Sequence, residues 1–182
     1  MNIALVVGHH INSKGAFSHH LNRSEWDFYN EVISCMPLKG KDYEMDVYHH
    51  ENIGGYTARI KKTARKLNAL KYDLVIELHF NSANDARANG CETLYYFASK
   101  QGKEYAKLFS DTVTRWTGIK SRNGGLKALT NKKDRGFASV YYPKASTILI
   151  EPFFGSNKSD CDKIESPELM SQILLDFVNI IK

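Results

Sequence analysis

The sequence predicts an α/β fold: one domain with a mainly parallel, twisted β-sheet flanked by helices, and an active site at the carboxyl edge of the strands. Three observations predict it. Short apolar runs such as NIALVVG, DLVIELHF and STILIEPFF have the pattern of strands buried on both faces. Segments of helical period lie between the runs, and strands that alternate with helices build a parallel sheet. The 182 residues contain no internal repeat and no Pro/Ser-rich linker, so residues 1–182 are read as one unit.

Each element follows from local chemistry. NIALVVG is the first strand. In SEWDFYNEVISCM, Ser24 is a helix cap with Asp27 in the first turn, and Trp26, Tyr29 and Ile33 recur at helical spacing. YEMDVYHH alternates like a strand and IGG breaks it. TARIKKTARKLNAL is an amphipathic helix with Ile60, Ala64, Leu67 and Leu70 on its apolar side. DLVIELHF and CETLYYF are strands, the second entered through a turn between Asn84 and Gly90. A helix over Gln101 to Trp116 precedes a Gly-rich loop at RNGG. STILIEPFF is the last buried strand, and PELMSQILLDFVNII closes the chain as an amphipathic helix.

Composition narrows the functional classes. A formal charge of +5 favours an acidic partner, whether nucleic acid, anionic membrane or anionic cell-wall polymer. The basic run RIKKTARK is read as a solvated helix face. Cys35, Cys91 and Cys161 are odd in number and lack C-x-x-C spacing, which argues for a reducing compartment and against a disulfide framework or cysteine zinc site. No apolar run reaches the ~18 residues of a spanning helix. The start MNIALVVGHH has no basic lead and no cleavage site, so the protein is expected to be made in the cytoplasm without a signal peptide.

In open α/β sheets ligands gather outside the carboxyl ends of the strands. His9 and His10 follow the first strand, His49 and His50 the second, and His79 the third, while Glu151 ends the last; five of the seven histidines thus share one edge. Catalytic zinc usually takes three protein ligands and leaves a fourth position for water. His9 and His79 are the natural imidazole pair, and Glu25, in the first turn of the next helix, can fold back to them. Glu151 suits a base with a raised pKa, because its strand is buried. Taken singly, each has a plainer alternative: a hydrogen-bonded strand-end histidine, a glutamate favouring the helix dipole, a solvated strand end. Adjacent strand residues point oppositely, so His10 is not expected to be a ligand beside His9, and neither is His20.

These residues resemble a family, the zinc-dependent N-acetylmuramoyl-L-alanine amidases of the amidase-3 type. The family's opening strand, Gly-His and Gly-Ala are similar to VVGHHINSKGAF, and its helix-start glutamate to Glu25 in NRSEWDF. Its His-x-Asn and Gly-x-Glu motifs resemble DLVIELHFNSANDARANGCETLYYF, and its closing motif resembles ILIEPFFGSNKSD. The resemblance runs from about Asn2 to Ile181. Val6 and Val7 depart from the acidic residue and proline usual before the Gly-His, His10 replaces a typical glycine, and Glu77 stands where a small residue is common. Glu77 shares a strand face with His79, and either orients that imidazole or pairs with a base elsewhere.

The resemblance implies one Zn2+ per chain held by His9, Glu25 and His79. It implies peptidoglycan as partner, with no nucleic acid and no stable membrane insertion, and a monomer. The bond is the amide between N-acetylmuramic acid and the L-alanine of the stem peptide. A zinc-activated water attacks it, and Glu151 takes the water's proton and returns it to the leaving amine. With no leader expected, the enzyme looks like a phage lysin that reaches the wall after membrane permeabilisation. The stretch between His79 and Glu92 is too short for the occluding helix of regulated members. A zinc carboxypeptidase acting on wall peptides, or a non-catalytic wall-binding or virion protein of the same fold, is the rival reading.

Overall fold

Strand β1 (Asn2–Val7) serves two cores at once. Ile3, Leu5 and Val7 join a large core with Phe28, Phe109 and Phe177, while Ala4 and Val6 join a smaller one with Leu67 and Val75. That division follows from the two-residue period of a strand, and it is why the run reads as continuously apolar. The computed structural model describes residues 1–182. After β1 come the short hairpin strands β2 (Phe17–Ser18) and β3 (Arg23–Ser24), then α1 (Glu25–Ser34), β4 (Glu44–His49), α2 (Tyr56–Asn68), β5 (Leu74–Leu78) and β6 (Cys91–Tyr96). The second half holds α3 (Lys100–Thr117), β7 (Ser121–Leu129), α4 (Phe137–Tyr141), β8 (Ser146–Glu151), α5 (Lys158–Ile164) and α6 (Pro167–Ile181).

Six strands form one sheet in the order β4-β1-β5-β8-β6-β7. All neighbouring pairs are parallel except β6 with β8, which is antiparallel. Helices α1, α3 and α6 cover one face and meet in the large core; α2 and α4 pack together on the other. No helix is long and apolar enough to cross a membrane.

Three expectations are corrected. RNGG is not a loop between elements but part of β7, where Asn123, Gly124 and Gly125 all take positive φ. There the register steps from Cys91↔Ser121 to Thr93↔Leu126, so these residues form a bulge that left-handed backbone makes possible. Leu70 lies beyond the end of α2 and is exposed rather than apolar-faced. The two short helices α4 and α5 and the β2–β3 hairpin fall where no element was expected.

The parallel register aligns the strand ends: Val7 with His49 and Leu78, and Leu78 with Ile150. Because β6 runs the other way, it is the start of that strand that reaches the same edge, with Glu92 directly opposite Glu151.

Candidate metal centre

Three segments bring one donor each to this edge. His9 lies just past β1 with φ 67, a left-handed turn that aims its ring across the edge. Glu25 opens α1, where Ser24 caps the helix by accepting from the Asp27 N–H. The loop before it docks on the helix start: the Glu25 N–H donates to the Ala16 carbonyl, and Glu25 Oε1 accepts from the Ala16 N–H at 2.9 Å. His79 continues β5, with its N–H on the Ile150 carbonyl and its own carbonyl accepting from the Tyr29 hydroxyl at 2.7 Å.

The second oxygen of Glu25 is the meeting point. Oε2 stands 3.1 Å from His9 Nε2 and 3.0 Å from His79 Nδ1, and a donor set from the three residues fits within 4.8 Å. Ligand atoms about 2 Å from a tetrahedral ion stand roughly 3.3 Å from one another, a value that the two spacings to Oε2 approach. His9 Nε2 is buried and, although near Glu25, is not aligned to hydrogen-bond with any group. A buried, unpartnered imidazole nitrogen beside a buried carboxylate is what a metal ligand set looks like without its ion.

The electrostatics say the same. Burial alone would raise the Glu25 pKa, but the hydrogen bond from His79 and the nearby imidazole of His9 outweigh it and hold the carboxyl at about 2. Burial would likewise drive His79 down, and its bonds to Glu25 and Glu77 outweigh that and carry it to about 10. Two carboxylates, Glu25 and Glu77, thus favour a positive charge between them.

Glu77 orients His79 and does more. Its Oε1 accepts from the Ser139 hydroxyl at 2.9 Å, lies 3.2 Å from His79 Nε2, and lies 3.6 Å from His50 Nε2. His50 is steadied by Thr63 through Nδ1, and Tyr56 reaches Ser139. With Nε2–H turned to Glu77, His79 keeps Nδ1 for the shared centre, a hydrogen-bonded arrangement common behind metal-bound imidazoles.

The other histidines go elsewhere. His10 and His9 both lie beyond β1, so it is the turn rather than strand alternation that parts them; His10 is buried with Nε2 3.2 Å from Arg59 Nη1. His49 Nε2 bonds the Asn30 side chain, and His20 is exposed in a turn.

Glu151 faces the same cleft, a space of about 430 Å³ that His9, Glu77 and His79 also line. Burial, then the neighbouring Glu92, raises its pKa against the opposing pull of His79, Lys127 and Arg135. Two residues not singled out for the site from the sequence adjoin it: Asn81, which donates to its Oε2 at 3.0 Å, and Glu92, which lies opposite it on β6. The signal for them was available, since Asn81 and Glu92 are the last letters of the His-x-Asn and Gly-x-Glu motifs. Arg59, Lys132, Lys133 and Arg135 also line the cleft, and none of them is paired with a carboxylate.

A family model described as N-acetylmuramoyl-L-alanine amidase matches residues 3–182. The chain belongs to this amidase family. Among solved structures, this amidase is similar to the catalytic domain of CD27L, an endolysin targeting Clostridium difficile, with 27% identity, a TM-score of 0.75, and 98% of this chain and 96% of that one covered. An N-acetylmuramoyl-L-alanine amidase from Clostridium difficile 630 shares the fold at 22% identity and a TM-score of 0.75, over 97% and 94% of the two chains. The uncharacterised protein YqiI of Bacillus subtilis is 28% identical over 121 residues, which are 66% of this chain and 55% of that protein. The matched segment therefore spans little more than half the length of this curated relative.

Two glycines hold the centre's walls close. Gly15 has φ 81, and a Cβ there would sit 2.5 Å from His9 Cδ2 and 2.9 Å from Glu25 Oε1; one on Gly8 would sit 2.3 Å from His79 Cε1. Gly15→Ala is expected to weaken binding of a divalent metal by pushing His9 and Glu25 apart, besides about 1–2 kcal/mol of backbone strain. Metal content after dialysis checks it, and wild-type occupancy would show that the loop yields without moving the donors.

Proposed function

We propose that the chain hydrolyses peptidoglycan at the amide joining N-acetylmuramic acid to the L-alanine of the stem peptide, with a zinc ion held by His9, Glu25 and His79. The observation that carries this is the convergence of two imidazoles on one buried carboxylate oxygen, with the raised Glu151 in the same cleft. A bound zinc supplies Lewis acidity, which acidifies water and polarises an amide carbonyl. Glu151 accepts a proton from the attacking water and delivers it to the leaving nitrogen as the C–N bond breaks, leaving a lactyl carboxylate and a free L-alanine amine. Glu77 keeps His79 in the tautomer whose Nδ1 faces the centre. Arg59, Lys132, Lys133 and Arg135, none of them paired with a carboxylate, give the cleft a positive wall suited to the carboxylates of a stem peptide.

The likeness to an endolysin's catalytic domain supports a lytic role, with the enzyme made in the cytoplasm and meeting the wall once the membrane is breached. The test uses purified sacculi and expressing cells. Sacculi should release soluble stem peptides with new amino-terminal alanine, and chelator should stop the release. Cells should lyse when chloroform permeabilises the membrane and stay intact without it. Release of disaccharides in place of peptides would overturn the amide assignment, and prompt lysis of unpermeabilised cells would overturn the route.

A further inference from the structure

We propose that Asn81 is the positioning residue of the Glu151 base, its single amide nitrogen fixing Glu151 in place against a second buried carboxylate, Glu92. The inference rests on the reading of Glu151 as the base. Its starting point is the antiparallel strand β6, which sets Glu92 directly across from Glu151. Like charges opposite one another in a sheet are destabilising, so such a pair needs a donor between its members. Asn81 is that donor: Nδ2 lies 3.0 Å from Glu92 Oε1 and 3.0 Å from Glu151 Oε2, so each amide hydrogen serves one carboxylate.

The orientation of the amide is set by its other end. Asn81 Oδ1 accepts from the Ser82 N–H at 2.9 Å, a place where only an oxygen fits. The backbone is pinned as well, with the Asn81 N–H on the Phe153 carbonyl and its carbonyl accepting from the Gly155 N–H. Glu92 is 6% exposed, and its cations Arg122 and Lys127 stand back at 3.9 Å each. Asn81 is therefore the nearest partner of both acids. Holding Glu151 by Oε2 leaves Oε1 for the proton the base has to move, so Asn81 acts on the reaction through aim and touches no substrate.

A merely structural asparagine would cost the same whatever stands at position 151, and a positioning residue would not. The experiment is a double-mutant cycle on the zinc-loaded chain, read by stem-peptide release under single-turnover conditions, with zinc content and melting temperature measured for each variant. Asn81→Ala should lower kcat by about 10–100-fold, the scale of misplacing a reacting group by an ångström, with KM and zinc content near wild type. Made on top of Glu151→Gln, the same change should cost little further rate, because the two act as one unit. Asn81→Asp keeps the acceptor for Ser82 and replaces the donor with a third acidic oxygen, so it should lose at least as much as Asn81→Ala even where the alanine variant folds poorly. Equal losses in both backgrounds, or wild-type turnover in Asn81→Asp, would overturn the inference and leave the amidase reading intact. A wild-type chain that releases no stem peptide would overturn both.

Discussion

Glu151→Gln should lower turnover by about 10²–10⁴-fold, the usual scale for a positioned acid–base group, while zinc content and melting temperature should stay at wild-type values. The glutamine keeps the size of the side chain and retains an oxygen for the Asn81 amide, so the bridge to Glu92 survives. What it loses is the capacity to take a proton. Glu151 lies outside the set formed by His9, Glu25 and His79, so an ion held by that set would not depend on it. Burial and Glu92 push its pKa upward, which suits a group that must pick up a proton from water and give it back within one turnover. Zinc loss in Glu151→Gln would make it a ligand, and substantial residual activity on sacculi would remove it from the chemistry.

Much of this geometry was legible because buried parallel strands announce themselves as unbroken apolar runs. The ends of NIALVVG, DLVIELHF and STILIE mark the carboxyl edge, and His9, His79 and Glu151 stand at or just past those ends. The direction of β6 was missed, although the sequence carried a hint. No helical pattern separates Leu78 from Cys91, and a parallel crossover needs a connection that is usually helical. A chain that cannot cross over must re-enter the sheet at the edge it left, which is what sets Glu92 opposite Glu151. Helix α4 spans five residues, too few for a 3.6-residue period to show. The positive φ of His9 was illegible for another reason: nothing in the letters GHH says where the strand stops and the turn begins.

Glu25→Gln should remove zinc and activity together, and this would separate the two glutamates. Glu25 is 2% exposed and receives His9 and His79 on one oxygen and the Ala16 N–H on the other. Glutamine can keep the Ala16 bond, so the start of α1 and the loop before it should hold their shape. The negative charge goes, and with it the ligand that faces both imidazoles. The fall in metal affinity should exceed the roughly 10–100-fold that loss of an outer hydrogen-bond partner costs, and peptide release should drop to that of chelator-treated wild type. Melting should lose the zinc-dependent increment expected of the wild type, since an ion that binds only the folded chain stabilises it by mass action. His20→Ala, at an exposed turn, serves as the control and should keep both metal and rate. Stoichiometric zinc in Glu25→Gln, or an equal loss in His20→Ala, would break the assignment, because a buried carboxylate between two imidazoles would then be holding only a proton.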